Sequence, residues 1–377
     1  MLAIVGGKII TMAGAVIEKG TVLIEGDKIS GVLEGITVPR DAEVIEATGK
    51  VVMPGLIDAH CHVGIAEEIY REEGADANEI TDPVTPHLRA IDAINPADLA
   101  FGDALSGGVT TVVTGPGSAN IIGGEMAALK THGIVVDEML VSFPAGLKAA
   151  LGENPKRSYG ANKKMPATRM AAAALLREAF TRAQNYIKKE AEEKDLKMEA
   201  LARVLRGDVP LRVHAHRADD IMTAVRIAGE FGIRLVIEHC TEGHLVAGQL
   251  AAKGVAAVVG PIITNRAKVE MQGVSLKTAA ELAEAGVTFA IMTDHPEVPI
   301  QHLATSAALA QKGGLSQEQA LQAVTINAAT ILGLENRLGS IETGKDADIV
   351  IWDGDPLAIS SKVEQVFING QKIYSIK

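Results

Sequence analysis

Apolar residues fall along this chain in two rhythms. Near the start they form short runs, Leu2–Val5, Gly7–Thr11, Thr21–Glu25 and Lys28–Val32, separated by Gly-Gly, Lys-Gly and Gly-Asp. Such punctuation is expected between strands. The end has the same texture. Ala347–Trp352 and Val363–Ile368 are followed by Asn369-Gly370 and then Gln371–Tyr374, which predicts a closing hairpin on the preferred Asn-Gly turn. Two β-rich ends around a different middle predict one small β-sandwich domain built from residues 1–54 and 336–377.

Over residues 55–335 the rhythm alternates. Val51–His60, Thr110–Thr114, Val135–Ser142, Leu211–His214, Arg234–His239, Val255–Val259 and Val287–Thr293 read as buried strands. An eighth is expected between Gly123 and Leu147. Helical patterns such as Ala97–Ser106, Ala218–Phe231, Leu245–Lys253 and Thr278–Ala285 lie between most of them. Strand-then-helix order predicts a parallel sheet with helices outside, here an α/β fold of the (β/α)8 TIM-barrel type. Two excursions interrupt it. Glu67–Asn95 is polar and proline-bearing and is expected to lie over the mouth; Pro166–Leu205 is expected to form one or two long helices.

Composition narrows the partners. A net charge of -11 disfavours nucleic acid or an anionic membrane as the main partner, because both reward a basic surface. No stretch approaches the roughly 18 apolar residues of a membrane span, and no basic leader with a cleavage site is seen. With only Cys61 and Cys240, a reducing, cytoplasmic setting is expected. Both cysteines read as small core residues. The glycine clusters match no dinucleotide or phosphate loop.

The chemistry starts at Asp58-Ala59-His60-Cys61-His62, directly after an apolar strand. On an extended chain residues i and i+2 point the same way, so His60 and His62 present two imidazoles to one point. Paired neutral imidazoles are a common ligand set for transition metals. Later strands also end in such groups: His214 and His216, then His239, then Asp294. In a parallel barrel all strand C-termini open on one face, so these residues are expected to converge there around a metal. Glu238 and His295, one residue away from His239 and Asp294, are expected to point elsewhere, with His295 in a supporting role.

These residues carry a resemblance over essentially the whole chain. Val52-Met53-Pro54-Gly55-Leu56-Ile57-Asp58-Ala59-His60-Cys61-His62, Gly108-Val109-Thr110-Thr111, the later His and Asp strand ends, Thr325-Ile326-Asn327-Ala328-Ala329 and the tail Gly339–Val350 resemble the amidohydrolase superfamily, in particular its imidazolonepropionase-like branch. The resemblance implies that His60, His62 and Asp294 bind one metal and His214 and His239 a second. In a one-metal member His214 is a ligand and His239 holds the attacking water. His216 replaces His214 or contacts substrate. Zinc, one or two ions per chain, is the implied cofactor, with other divalent transition metals as alternatives. Asp294 is the implied proton acceptor and donor. Two-metal members bridge their ions with a carboxylated lysine or a glutamate; Lys148 is the first candidate here, Glu125 the second and Lys130 a weaker third.

Asn120, on the loop after Thr114, and Arg157 and Tyr159, on the segment after Lys148, are candidates for substrate contact; arginine pairs carboxylates bidentately. The implied activity is hydrolysis of a C–N bond other than a peptide bond, in a cyclic or linear amide small molecule. A prolidase-like dipeptidase or a deaminase of a heterocyclic amine is the alternative. A non-catalytic scaffold relative is disfavoured because all five principal ligands are present. A homo-oligomer is a further implication of the resemblance.

Overall fold

The computed structural model describes residues 1–69, 72–189 and 193–376. Residues 70–71 of the predicted mouth loop and 190–192 within the predicted helical excursion lie outside the described residues. Strands β1 (Leu2–Ile9), β2 (Ile17–Glu25), β3 (Lys28–Glu34), β4 (Glu43–Glu46) and β5 (Val51–Pro54) come first. Then follow β6 (Leu56–Cys61), β7 (Val109–Thr114), β8 (Ile122–Lys130), β9 (Leu140–Ala150), β10 (Leu211–Ala215), β11 (Leu235–His239), β12 (Ala256–Val259) and β13 (Phe289–Ile291). The chain ends on β14 (Ile349–Trp352), β15 (Val363–Ile368) and β16 (Gln371–Ser375).

The two termini share one sheet, ordered β16-β15-β14-β5-β1-β2-β3 with β4 beside β1. What was expected as a small sandwich is thus one hydrogen-bonded sheet that branches. Leu2–Val5 pairs with β4, whereas Lys8 and Ile9 pair with β5. The two predicted runs on either side of Gly6 are therefore a single irregular strand, and Gly6 has φ +80 at the irregularity, a conformation glycine adopts without steric cost.

The second sheet runs β6 to β13 in chain order and nearly closes. Asp294 N donates to His60 O at 3.3 Å and His62 N to His295 O at 2.9 Å. Asp58 reinforces the seam, its carboxylate accepting Thr293 N at 3.1 Å and Thr293 Oγ1 at 2.5 Å. Ile57, Ala59, Val113, Met126, Val236, Val258, Ala290 and Met292 fill the interior. Alternate residues of β7, β10, β11 and β12 pack outward against the helices, as a barrel requires, whereas β6 is irregular in its pairing with β7.

One expectation needs correction. The barrel is not wholly parallel, because β8 runs antiparallel to both β7 and β9. The connections 115–121 and 131–139 are too short for the helical crossover that a parallel pair needs. The second holds only the single helical turn Val136–Met139. Val135–Ser142 is therefore not a strand: its first part is that turn, and β9 begins at Leu140 and runs through Lys148. The excursion after it forms two helices, Arg169–Lys189 and Leu196–Arg206. Asp195 caps the second, accepting from Lys197 N and Met198 N, and Gly207 closes it in the left-handed conformation. No helix among the described residues is long and apolar enough to cross a membrane.

The sheets are joined at Gly55, whose N–H donates to Asp348 O at 3.0 Å. A Cβ there would lie 2.0 Å from Thr110 Oγ1, so the strand change is tight enough to require glycine. Nearby, Asp346 accepts from Lys28 Nζ at 2.5 Å, Lys130 Nζ at 3.1 Å and Arg337 Nη2 at 2.9 Å, while Lys130 also pairs with Asp348. Lys130 thus binds the barrel to the terminal sheet and is not a bridge between metals. It sits at the far end of the descending strand β8.

Burial pushes the Asp346 carboxyl up, but Lys130, Lys28 and Arg337 together hold it down to about 2. Its ordinary value is 3.8, so the stabilisation is complete above that pH and is lost as pH falls through about 2. Asp346→Asn is expected to remove about 1–2 kcal/mol at pH 7, allowing for screening of the exposed Lys28 and Arg337 heads. It should also flatten the acid limb of the stability curve. Urea unfolding at pH 7 and pH 3 tests this; an unchanged pH dependence would count against the network.

Candidate metal centre

At the mouth of the barrel two groups of donor atoms gather, His60–His62–Asp294 and His214–His216–His239, each within 4.8 Å. They come from the ends of β6, β10, β11 and β13. Arg212, His214 and His216 share the inward face of β10 by alternation. His239 reaches the site differently. Val236 and Glu238 face the interior of β11, and His239 has φ +68, which turns its imidazole inward after Glu238. Asp294 is likewise at φ +57. Left-handed backbone at two non-glycine residues costs of order 1–3 kcal/mol each and is tolerated where surrounding structure dictates it.

Backbone carbonyls turn the lone pairs of His62 and His239 toward the centre. His62 Nδ1 donates to Gly115 O at 2.7 Å, since a carbonyl can only accept. That leaves the lone pair of Nε2 facing Asp294 Oδ1 at 3.5 Å. His60 Nε2 lies 3.3 Å from the same oxygen, and its Nδ1 lies 3.1 Å from Glu238 Oε2. His239 Nδ1 donates to Gly260 O at 3.0 Å. Outer oxygens that fix the tautomer of an imidazole are the usual support of a metal site. Burial lowers the pKa of His62, His214 and His239, and brings His216 to about 3. Burial opposes ionisation of Asp294, but His239, His60 and His62 hold it well below the carboxylate range. Neutral imidazoles converging on a carboxylate fit a divalent transition ion.

Lys148 stands inside this arrangement. It is fully buried, and its Nζ lies 3.2 Å from His60 Nε2. Burial lowers its ammonium to about 8, against the pull of Glu238 and Asp294. Beneath it, Arg212 Nε donates to Glu238 Oε1 at 2.5 Å and Nη2 to Ala59 O at 2.7 Å. Burial raises the Glu238 carboxyl, yet Arg212, His60 and Lys148 bring it to about 2. Glu238, expected to point elsewhere, instead lies inside the barrel behind His60. Arg212 was not singled out by the sequence, although its place two residues before His214 is the signal that finds it.

Other expectations change. Glu125 is opposite Leu147 on β8, whereas Gly124 is opposite Lys148. It therefore faces outward, where Oε1 accepts from Arg203 Nη1 at 3.0 Å, and it cannot bridge ions at the mouth. Tyr159 donates to Asn120 Oδ1 at 2.6 Å, and Asn120 Nδ2 to Thr85 Oγ1 at 2.9 Å. Both side chains are committed to pinning the mouth loop. Tyr159 and Arg157 belong to the helix Glu153–Gly160, not a loop, and Arg157 is exposed without an ion pair among the described residues. His295 is buried, accepts Ile300 N at 3.2 Å on Nδ1, and lies 3.7 Å from Glu68 through Nε2. Cys61 and Cys240 are buried free thiols whose pKa burial raises, to about 12 for Cys240. Two further residues close the site: Asn154 Nδ2 lies 3.5 Å from His214 Nε2, and Glu270 Oε1 lies 3.8 Å from the same nitrogen.

Comparison with known proteins agrees with this geometry. The amidohydrolase family model matches residues 51–373. The amidohydrolase tasK of Hapsidospora irregularis is 31% identical over 387 residues, covering 93% of this chain; the chain spans only 39% of that protein's length. An imidazolonepropionase of Shouchella clausii is 28% identical, covering 90% of this chain and 80% of its own. The crystal structure of an amidohydrolase from Thermotoga maritima MSB8 superposes with a TM-score of 0.97 at 46% identity, over 100% of both chains. The chain therefore belongs to the amidohydrolase family, on its imidazolonepropionase-like side, and is a metal-dependent hydrolase of carbon–nitrogen bonds.

Proposed function

We propose that this chain hydrolyses the C–N bond of a small cyclic or linear amide at a centre of two zinc ions. His60, His62 and Asp294 would hold one ion, and His214 and His239 the other. Carboxylated Lys148 would lie between them. Lys148 carries the reading. A lysine fully buried, with Nζ 3.2 Å from His60 Nε2 and its ammonium lowered to about 8, is readily available as the neutral amine. That amine can add CO2 at Nζ and release one proton, leaving an anionic carbamate in place of a buried cation. The imidazolonepropionases among the relatives support a nitrogen-containing ring as substrate. We also propose residues 1–54 with 336–377 as one domain and 55–335 as the barrel.

A divalent ion supplies the charge that brings the pKa of water from about 16 toward 7 and polarises the scissile carbonyl. The chain's own groups do the rest. Asp294 accepts the proton of the attacking water on a carboxylate oxygen and returns it to the leaving nitrogen. His60 Nδ1 faces Glu238 Oε2 at 3.1 Å, and Glu238 is paired with Arg212, so a carboxylate stands behind the imidazole as charge develops. The loop pinned by Asn120 and Tyr159 limits access of bulk water.

The test is zinc content per chain, by elemental mass spectrometry, of protein purified without chelator. About two ions are expected for the wild type and one or none for Lys148→Gln. A wild type that holds no metal and recovers none on reconstitution would end the reading. A Lys148→Gln protein that still holds two would remove the bridge.

A further inference from the structure

Glu270 lies in the irregular stretch between β12 and β13, on the single turn Val269–Met271. Its side chain is 1% exposed. One oxygen is committed: Oε2 accepts Glu153 N at 2.8 Å, and Glu153 Oε2 accepts Glu270 N at 3.3 Å in return. The approach is close enough that a Cβ on Gly152 would lie 2.8 Å from Glu270 Oε2. The clasp fixes where the other oxygen points. Oε1 is buried and has no hydrogen-bond partner among the described residues. It lies 3.7 Å from His216 Nε2 and 3.8 Å from His214 Nε2.

A buried carboxylate oxygen without a donor costs about 1–3 kcal/mol or more, so its surroundings call for an occupant. The imidazoles are beyond hydrogen-bond distance. A substrate ammonium is a poor candidate, because Oε1 offers no surface for it to reach. A small cation is a better one. Ligands about 2.0–2.2 Å from a tetrahedral ion stand roughly 3.3–3.6 Å from one another, close to the spacings observed here. The donor atoms of His214, His216 and His239 already lie within 4.8 Å.

We propose that Glu270, through Oε1, and His216 join His214 and His239 in the second metal position, adding a third imidazole and a carboxylate of the chain to the bridging Lys148 for a divalent transition ion. This rests on the two-ion reading above and changes its ligand set. Each position then carries one aspartate or glutamate from the chain, Asp294 in the first and Glu270 in the second. Thr241 Oγ1, 2.7 Å from His216 Nδ1, orients the added imidazole as Gly260 O orients His239.

The experiment is titration of metal-free full-length protein with Co2+, followed by visible absorption and by bound metal per chain. Wild type, Glu270→Gln and His216→Gln are compared. The amide of Glu270→Gln can still accept Glu153 N, and His216→Gln reports on the same position should the first variant fold poorly. Wild type is expected to bind two equivalents. Both variants should bind the first normally and the second about 10–100-fold more weakly, with a changed Co2+ spectrum. If wild type binds two and both variants match it in affinity and spectrum, the role of Glu270 and His216 is overturned while the two-ion centre stands. If wild type binds only one, the two-ion centre itself falls, and this proposal with it.

Discussion

Asp294→Asn is expected to lower kcat/KM by about 10³-fold or more, the scale of losing a positioned proton acceptor in a metal-assisted hydrolysis. The amide cannot take the proton of water, and it is a weaker partner for His60 and His62, which stand 3.3 and 3.5 Å from Asp294 Oδ1. Metal content should fall with it. Stability measured in chelator should fall as well, because His239, His60 and His62 favour the Asp294 carboxylate in the folded metal-free chain. Kinetics on a cyclic amide, with elemental analysis of the same sample, decide the matter. A variant with full metal and wild-type turnover would remove Asp294 from the chemistry.

Arg212→Met is expected to cost about 3–5 kcal/mol of stability. Arg212 is 1% exposed and Glu238 is fully buried, so deleting the guanidinium leaves a carboxylate in the barrel interior with His60 as its remaining close partner. The double variant Arg212→Met with Glu238→Gln should recover much of the loss, since neither buried charge then remains. It should not recover metal affinity, because His60 would still lack its carboxylate and such supporting partners are worth about 10–100-fold. Guanidinium unfolding of the metal-free proteins separates the two effects. A single variant within 1 kcal/mol of wild type would show that Glu238 is not stranded without Arg212.

The residues legible in the sequence are those that obey a period. His60 with His62, and His214 with His216, declare themselves by the two-residue repeat of a strand, and the barrel rule brings them to one face. What escaped lacks such a period. Glu238 was hidden because alternation from His239 turns it outward; the positive φ at His239 lets both residues face inward, and no glycine marks the place. Glu270 comes from a stretch with neither helical nor strand repeat, and only the clasp with Glu153 brings it to the mouth. The antiparallel β8 was a matter of connection length, which the run of apolar residues obscured. Lys148 was found, but as a residue following a strand. In the fold it lies within β9, facing the cluster. Asn120 and Tyr159 had the right chemistry and the right neighbourhood, and spend it on each other.

The tight passage at Gly55 makes the terminal sheet a ruler for the metal centre. Pro54 is paired with Ile349 in that sheet, and the same uninterrupted chain reaches His60 six residues later, with roughly 3.3 Å of rise per residue. A slip of β5 by one residue against β14 would carry His60 that distance along the barrel wall and aim it at the opposite face. The C-terminal tail, distant in sequence from every donor atom, is thereby paired with the strand that leads directly into the first two imidazoles. Shortening the chain before Ile349 is a lesion of the metal site, to be read from bound metal as much as from melting.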